Sequence, residues 1–401
     1  MKKMILTLAM ALMSIALNAQ SEMRLWQGGE STRIRLADAE QMTFGDNGNS
    51  ITIAGKTYRT ADIDSLTMIH QVRIHFNQNS AAVTIPAAVA GNVTATTDGA
   101  HVTVTNTDTG NEIEFLLSGE TTDGSFTYNG SYKTTFRLNG LDLASQRGGA
   151  IDIQCGKRIA LVLTDGTTNA LSDYAGGTQK ACLYAKGHVE VEGSGTLNVT
   201  GNLKHAVSTN EYLQLKKSTG TLNILAAVSD ALHVGQYYQQ NGGTVNVTAA
   251  TLGDGIQVDC TNDDTDEQNG EVIIKGGTIS LVIANEDCKG IKAEGNITIS
   301  GGTLDIQATG NGSRGIQTDA SMIIDDSDSD TSITIAAAGG LCTSPEDADD
   351  PHRCMGMKID GNLTVMGGTT IVTNTGSKSR GIKVDGTYTK QGGTVNAEIK
   401  N

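Results

Sequence analysis

Basic and acidic side chains recur at fixed spacing in the later part of the chain. In five short segments the third residue is a lysine or glutamine and the fifth residue is an acid. The third residues are Gln257, Lys292, Gln317, Lys358 and Lys383, and the fifth residues are Asp259, Glu294, Asp319, Asp360 and Asp385. Cationic side chains bind carboxylate and sulfate groups through charge-assisted hydrogen bonds. With two arginines that stand just before these segments, the candidate anion-binding residues are Lys292, Arg314, Lys358, Arg380 and Lys383. Columns of opposite charge can also simply neutralise each other on an exposed surface, so both interpretations stay open.

Tyrosine side chains are candidates for a second kind of contact. Tyr212 and Tyr237 fall at the same offset in neighbouring repeats and should point outward, and Tyr184 would project from the same column as the lysines. Tyr238 and Tyr388 are expected to point inward. An aromatic ring can pack against the C–H face of a sugar, but tyrosine is also a good strand former, so a purely structural role stays open.

Acidic residues could hold a calcium ion, which takes six to eight oxygen ligands. One candidate cluster contains Asp263, Asp264 and Asp266, and another pairs Asp254 with Asp259. Neither has the spacing of an EF-hand, and acidic loops are often simply solvated. The seven histidines show no metal-ligand spacing along the chain and no partner serine or cysteine, which predicts neither a zinc site nor a catalytic triad.

A repeat of about 25 residues positions these side chains. A pattern of a small residue, then apolar, any, apolar and polar residues begins at Ala150, Cys182, Ala206, Ala231, Gly255, Gly290, Gly315, Gly356 and Gly381. Two further short alternating strands follow in most repeats, with no room for a helix. This periodicity predicts coils of a right-handed parallel β-helix in an all-β protein. The longer repeats carry polar insertions, and Ile291 should stack on Ile316, Met357 and Ile382 in turn.

The composition agrees with such a stack. The chain has 401 residues with 49 glycines and 3 prolines, as expected where turns are frequent and every rung needs its backbone donors. The formal net charge is −15 and there is no basic block, so nucleic acid is not an expected partner.

The N-terminus predicts export. Two lysines precede an apolar run that is too short to span a bilayer, and cleavage is expected after Ala19. We therefore expect a signal peptide at residues 1–19, a secreted, periplasmic or cell-surface protein, and no transmembrane segment. Residues 20–82 are expected to form a β segment that caps the stack. Residues 83–401 are expected to form the β-helix, with regular coils over 150–401.

Six cysteines in an exported chain permit disulfides. Cys342 and Cys354 bracket a polar loop and are the preferred pair. For Cys155, Cys182, Cys260 and Cys288, disulfides and buried thiols stay open.

The repeated glycine motifs resemble a known family. A Gly-Gly-Thr strand precedes a turn of the Gly-Asp-Gly-Ile type in residues 242–247 with 253–256, 276–278 with 289–291, and 301–303 with 314–316, and residues 161–173 add a related stretch. The pattern resembles the secreted calcium-containing β-helix carbohydrate-binding proteins, the domain of unknown function 4353 family, over roughly residues 110–401. This resemblance implies an architecture similar to pectate lyases, binding of cellulose or pectin-type acidic glycans, and bound Ca²⁺, but no established catalytic residue.

The turn acid of that family is retained at only two positions, Asp254 and Asp230. The equivalent positions elsewhere are His205, Lys289, Arg314, Met355 and Arg380. A family calcium site built on this acid would therefore occur in at most two coils.

These observations favour a secreted, non-catalytic protein that binds polysaccharide along its long face. One alternative is a calcium-dependent, pectate-lyase-like enzyme, for which Lys292, Arg314, Lys358 or Lys383 could act as the base. A second is a surface adhesin or structural protein. The recurrence of these cations in successive repeats argues against the enzyme, because a catalytic base is a single residue.

Overall fold

The computed structural model describes residues 22–28, 30–35, 42–263, 265–343 and 352–400. These residues form strands and two short 3-10 turns, and among them no helix is long and apolar enough to cross a membrane. The all-β class expected from the repeat is confirmed. The expected signal peptide at residues 1–19 lies outside the described residues, and so does Asp264.

Successive repeats stack as coils of a parallel β-helix with three faces. Face 1 is a 13-stranded sheet in which each strand pairs with its counterpart in the next coil. Its strands are Val93–Asp98, Ala100–Asn106, Gly124–Gly130, Ile151–Gln154, Ala181–Ala185, His205–Thr209, Leu232–Val234, Ile256–Val258, Lys289–Ala293, Arg314–Thr318, Met355–Ile359, Arg380–Val384 and Ile399–Lys400. All of these pairings are parallel except the first.

Faces 2 and 3 belong to one larger sheet because several strands bend from one face into the other. The strands that continue across both faces are Ile113–Thr121, Thr134–Ala144, Val272–Ile283 and Ile297–Ala308. Face 2 also contains Ile159–Leu163, Val189–Glu192, Leu213–Leu215, Tyr238–Gln240, Met322–Ile324, Leu363–Val365 and Tyr388–Lys390. Face 3 also contains Thr168–Ser172, Thr196–Gly201, Thr221–Ala227, Thr244–Val247, Thr331–Ala337, Thr369–Asn374 and Thr394–Asn396.

The coil register is the one that the repeat predicts. Ile291 pairs with Ile316, Ile316 with Met357, and Met357 with Ile382. These side chains belong to one apolar core that extends from Val72 to Val384. The first position of each repeat must be small because the coils approach closely there. A Cβ on Gly290, for example, would lie 2.5 Å from the Gly315 carbonyl oxygen.

The residues before the first coil form a smaller unit with its own core. Glu22–Gln27 pairs antiparallel with Glu30–Arg35 and with Ser65–Asn77. The remaining elements of this unit are the strands Thr43–Gly45, Ser50–Ile53 and Lys56–Arg59 and the 3-10 turns Asp46–Gly48 and Thr60–Asp62. Its buried side chains are Met23, Leu25, Ile34, Ile51, Ile53 and Tyr58.

The edges of the first coil are covered by antiparallel strands. Ser80–Thr84 pairs with Ser65–Asn77, and Val93–Asp98 pairs with Ala100–Asn106. Covering an edge in this way prevents pairing with another chain. These strands lie at the end of the segment expected to cap the stack, and just beyond it.

The predicted Cys342–Cys354 disulfide is not formed, and both residues are free thiols. In the hairpin of Leu341–Cys342 and His352–Arg353, Cys342 pairs with His352. Cys354 therefore lies two residues beyond the residue that pairs with Cys342. Cys354 Sγ is buried and donates to the Ala308 carbonyl oxygen at 3.4 Å, whereas Cys342 Sγ faces Glu286. The two sulfurs therefore have different neighbours. Cys155, Cys182 and Cys288 are buried free thiols.

A buried carboxylate joins the N-terminal unit to the first coils. The Glu114 side chain is fully buried and accepts hydrogen bonds from Arg33, Gln71 and Arg137. Arg33 comes from the N-terminal unit, and Gln71 lies on the strand that links this unit to the stack. Burial alone would raise the pKa of Glu114, but the two arginines outweigh it and hold the pKa below its usual range. The charged form is therefore the one that the fold requires.

We predict that Glu114→Gln lowers the free energy of unfolding by about 3 kcal/mol at neutral pH, because it leaves two buried or half-buried arginines without their anion. The lowered pKa means that this contribution is present above the unfolded pKa of about 4.3 and is lost as the pH falls through the folded value. Denaturant unfolding of both proteins at neutral and acid pH measures the difference. Glu120→Gln, on the same strand but exposed, is the matched control and should change stability by less than about 0.5 kcal/mol. Equal effects of the two substitutions would contradict this role.

Candidate functional site

One column of outward-facing residues runs along face 1 through all the coils. Each residue is the register partner of the next in the column. In order, the column contains Thr103, Thr127, Asp152, Tyr184, Ser208, His233, Gln257, Lys292, Gln317, Lys358 and Lys383. The lysines and Tyr184 therefore share one column, as the repeat predicts.

In the later coils this column is paired with the acids two residues further along each strand. Lys358 Nζ donates to Asp360 at 2.6 Å, and Lys383 Nζ lies 2.8 Å from Asp385. Gln317 accepts a hydrogen bond from Arg314, whose side chain is buried rather than presented to solvent. Arg380 is half-buried. This arrangement favours neutralisation over anion binding for Lys358 and Lys383, whereas Lys292 has no ion pair among the described residues.

The earlier coils of face 1 carry a groove instead of a flat surface. Two cavities of about 760 and 640 Å³ lie end to end along the column, and both are lined by Lys180. Together they span seven consecutive coils, from His101 on the strand Ala100–Asn106 to Asp259, which directly follows the strand Ile256–Val258. At a strand spacing of about 4.8 Å the groove is roughly 29 Å long. Its walls include residues 147–149 and 178–180 around one cavity and residues 259–263 with Asp266 around the other.

The groove offers cations, an aromatic ring and hydroxyl groups. Lys180 and Lys204 are exposed, occupy equivalent places in neighbouring coils, and have no ion pair within the described part of the chain. Lys180 Nζ lies 5.2 Å from the centre of the Tyr184 ring, a cation–π distance. Ser208 and Thr127 lie in the same lining. The larger cavity also carries four acids, Glu211, Asp259, Asp263 and Asp266, so the groove can hold a long polar chain whose anionic groups meet the two lysines.

Tyr212 and Tyr237 form a stack at the corner between faces 1 and 2. The Tyr212 ring lies between His188 at 4.6 Å and Tyr237 at 4.7 Å, measured between ring centres. Both faces of Tyr212 are therefore covered, so this ring cannot offer a flat face to a sugar. Tyr238 is fully buried, as predicted, and Tyr388 packs partly against the core.

The turn acids Asp230 and Asp254 bind the backbone of the next coil. Asp230 Oδ1 accepts the Asp254 N–H at 3.0 Å, and Asp254 Oδ1 accepts the Lys289 N–H at 2.7 Å. His205 occupies the same position one coil earlier, where its Nδ1 accepts the Asp230 N–H at 3.3 Å. Burial raises the pKa of Asp254 to about 6. These contacts use carboxylate oxygens that a calcium ion would need.

The other predicted calcium ligands lie at the wall of the groove. Asp263 Oδ1 accepts hydrogen bonds from the N–H and hydroxyl of Thr265, and Asp266 Oδ2 accepts one from the Thr261 hydroxyl. These contacts brace the insertion that forms the wall. Asp259 accepts a hydrogen bond from Gln257 at 2.7 Å and belongs to the groove lining as well.

Two histidines and an aspartate meet beneath the floor of the larger cavity. Asp230 Oδ2 lies 3.1 Å from Nδ1 of His205 and 3.1 Å from Nδ1 of His233, and the two imidazole rings stack at 4.2 Å. Burial alone would raise the pKa of Asp230, but hydrogen bonds from the two histidines and the Asp254 N–H hold it well below its usual range. Burial lowers the pKa of His205. The cluster is thus a charged carboxylate between two imidazoles.

The comparisons with known proteins identify the chain at the family level. A family model described as carbohydrate-binding domain-containing protein matches residues 98–400, which is more than half of the chain. The chain belongs to this carbohydrate-binding family. The matched region begins within the first coils and includes the whole groove.

The carbohydrate-binding domain is also similar to a solved structure. The polysaccharide lyase-like protein from C. thermocellum, solved as a gadolinium derivative, matches with a TM-score of 0.52 and 19% identity, over 64% of this chain and 98% of that chain. At this identity the likeness shows the fold alone. No curated protein sequence matches the chain.

Sequence reasoning about the carbohydrate-binding domain missed four residues of the groove: Lys180, Lys204, His205 and His233. The signal that could have found them is the repeat itself. His205 and Asp230 stand at the same position of consecutive repeats, 25 residues apart, and His233 belongs to the column that begins at Thr103. The spacing of the histidines along the chain shows no metal-ligand pattern, because it is the stacking of neighbouring coils that brings His205 and His233 together.

Proposed function

We propose that the carbohydrate-binding domain binds an acidic polysaccharide without cleaving it, in the groove on face 1, and that it does so outside the cytoplasm. The observation that carries this proposal is the groove itself, which follows one column of polar residues across seven coils. A groove that crosses many evenly spaced coils suits a polymer, because successive sugars of the chain can contact successive coils.

The two unpaired lysines indicate the charge of the ligand. Lys180 and Lys204 project at the junction of the two cavities and in the larger cavity, whereas Lys358 and Lys383 are neutralised by aspartates. A uronate carboxylate near the junction could pair with these two lysines, neither of which forms an ion pair, among the described residues, with the acids that line the larger cavity, Glu211, Asp259, Asp263 and Asp266. Tyr184, which lies beside Lys180, offers part of its ring to a sugar face.

The position of the groove walls favours polysaccharide binding over the earlier coils. Among the described residues these walls lie over the earlier coils, where residues 147–149, 178–180, 259–263 and Asp266 line the two cavities. Calcium remains part of the proposal at the wall formed by Asp263 and Asp266, where it could join a sugar carboxylate to the loop.

Titration with oligogalacturonate tests the proposal. The double variant Lys180→Ala, Lys204→Ala should bind about tenfold more weakly, because each lost contact costs about 0.5–1 kcal/mol, and its affinity should depend less on salt. The matched control is Lys358→Ala, Lys383→Ala, which removes two cations from the same column outside the groove and should leave affinity unchanged. The titrations are run with a chelator and with added calcium.

An affinity that falls in the control variant and not in the groove variant would overturn the location. Binding of a neutral glucan with the same affinity as oligogalacturonate would overturn the acidic ligand. No retention of either polymer, with or without calcium, would overturn the function.

A polysaccharide lyase is the second candidate, and one observation favours it. His233 lies in the groove lining with its Nε2 3.4 Å from Asp259 and its Nδ1 beside Asp230, a setting in which an imidazole could remove a proton. Three of the four bases first considered fit less well, because Lys358 and Lys383 are ion-paired and Arg314 is buried, and Lys292 lies outside the groove lining.

We expect no elimination activity. Incubation of the protein with polygalacturonate and calcium at mildly alkaline pH should produce no increase in the absorbance of unsaturated uronide. An increase that disappears in His233→Gln, while binding is retained, would contradict the non-catalytic proposal and identify a lyase.

A further inference from the structure

Three ligand-type atoms converge beneath the groove floor. His205 Nδ1, Asp230 Oδ2 and His233 Nδ1 all lie within 4.8 Å of one another, and the carboxylate oxygen is 3.1 Å from each nitrogen. Four-coordinate zinc holds nitrogen and oxygen ligands at about 2.0–2.2 Å, which places neighbouring ligand atoms roughly 3.3 Å apart. The two nitrogen–oxygen separations are within a few tenths of an ångström of that value, and the ligand atoms of the two histidines lie within 4.8 Å of each other.

We propose that His205, Asp230 and His233 bind one divalent transition metal ion of the zinc type. Two imidazole nitrogens and one carboxylate oxygen are ligands that zinc, cobalt and nickel accept readily. Calcium prefers six to eight oxygens, and at Asp230 the nearest side chains offer nitrogen instead. The retained turn acid at this position therefore serves a different ion from the one that the family resemblance implies.

Neighbouring contacts already orient His233 and Asp230, whereas the His205 ring, which stacks on His233 and accepts the Asp230 N–H at Nδ1, must turn to bring a nitrogen to the ion. The Nε2 of His233 lies 3.4 Å from Asp259 Oδ2, and Asp259 in turn accepts a hydrogen bond from Gln257 at 2.7 Å. A carboxylate on the far nitrogen of a metal-bound histidine is the usual second partner, because it fixes the tautomer and the ring orientation. The Asp254 N–H holds Asp230 Oδ1 at 3.0 Å and leaves Oδ2 for the metal.

The site would keep one position for a ligand from the groove. His205 and His233 line the larger cavity, and the His233 side chain is 26% exposed, whereas the side chains of His205 and Asp230 are 5% and 10% exposed. Three protein ligands are typical of zinc sites that bind water or an added ligand at the fourth position. A hydroxyl or carboxylate in the groove could occupy it. The metal site itself does not depend on the glycan proposal, because metal alone can be measured.

The competing interpretation is a hydrogen-bonded cluster with no metal. In that case the Asp230 carboxylate simply accepts hydrogen bonds from imidazole N–H groups, and the cluster serves only to join two neighbouring coils. Metal affinity and its dependence on each ligand separate the two interpretations.

The experiment is calorimetric titration of untagged, chelator-treated full-length protein with Zn²⁺ and with Co²⁺ alone. We expect one ion per chain, a visible absorption spectrum of four-coordinate Co²⁺, and a higher melting temperature in the presence of zinc. Excess Ca²⁺ should not displace the cobalt spectrum. Asp230→Asn and His233→Gln should each weaken binding at least 100-fold and abolish the spectrum.

His101→Gln is the matched control, since His101 lines the other cavity of the same face and lies outside the cluster. It should leave metal binding unchanged. The melting temperature of each variant without metal reports whether it folds, so a lost site can be told from a lost fold. Failure of the folded wild-type protein to bind one equivalent, or binding that survives in folded Asp230→Asn and His233→Gln, would overturn the proposal.

Discussion

Parallel hydrogen bonds between neighbouring coils hold each residue directly beside its counterpart one repeat away. The pairing of Ile291, Ile316, Met357 and Ile382 shows this register inside the stack, and the column from Thr103 to Lys383 shows it outside. A slip of one residue would exchange the two sides of every strand, so the buried ladder also fixes the polar surface. The groove, the charge pairs and the histidine cluster all depend on this single constraint.

The regular part of the molecule could be predicted from the sequence because each coil repeats the same pattern of small, apolar and polar residues. The small residue at Gly290, the apolar residue at Ile291 and the outward lysine at Lys292 follow from a period of about 25 residues and an alternation of two. The inward position of Tyr238 follows in the same way, and it is confirmed. The fold class needed no knowledge of loops.

What could not be predicted lies where the chain leaves the repeat. The walls of the groove come from insertions, and their heights depend on local contacts such as those of Asp263 with Thr265. The Cys342–Cys354 pairing was wrong because a bracketed loop does not fix a hairpin register, which places His352 opposite Cys342. Whether Lys358 and Lys383 bind a ligand or neutralise neighbouring acids stayed open in the sequence, because strand geometry alone does not show which acid each one contacts.

The central claim is that the groove on face 1, and not the charged column of the later coils, holds the polysaccharide. Hydrogen–deuterium exchange with and without oligogalacturonate tests it most directly. The account predicts slower exchange in peptides covering residues 176–184 and 204–211, with no change over 355–385. Protection confined to 355–385, or spread evenly over all three faces, would contradict it.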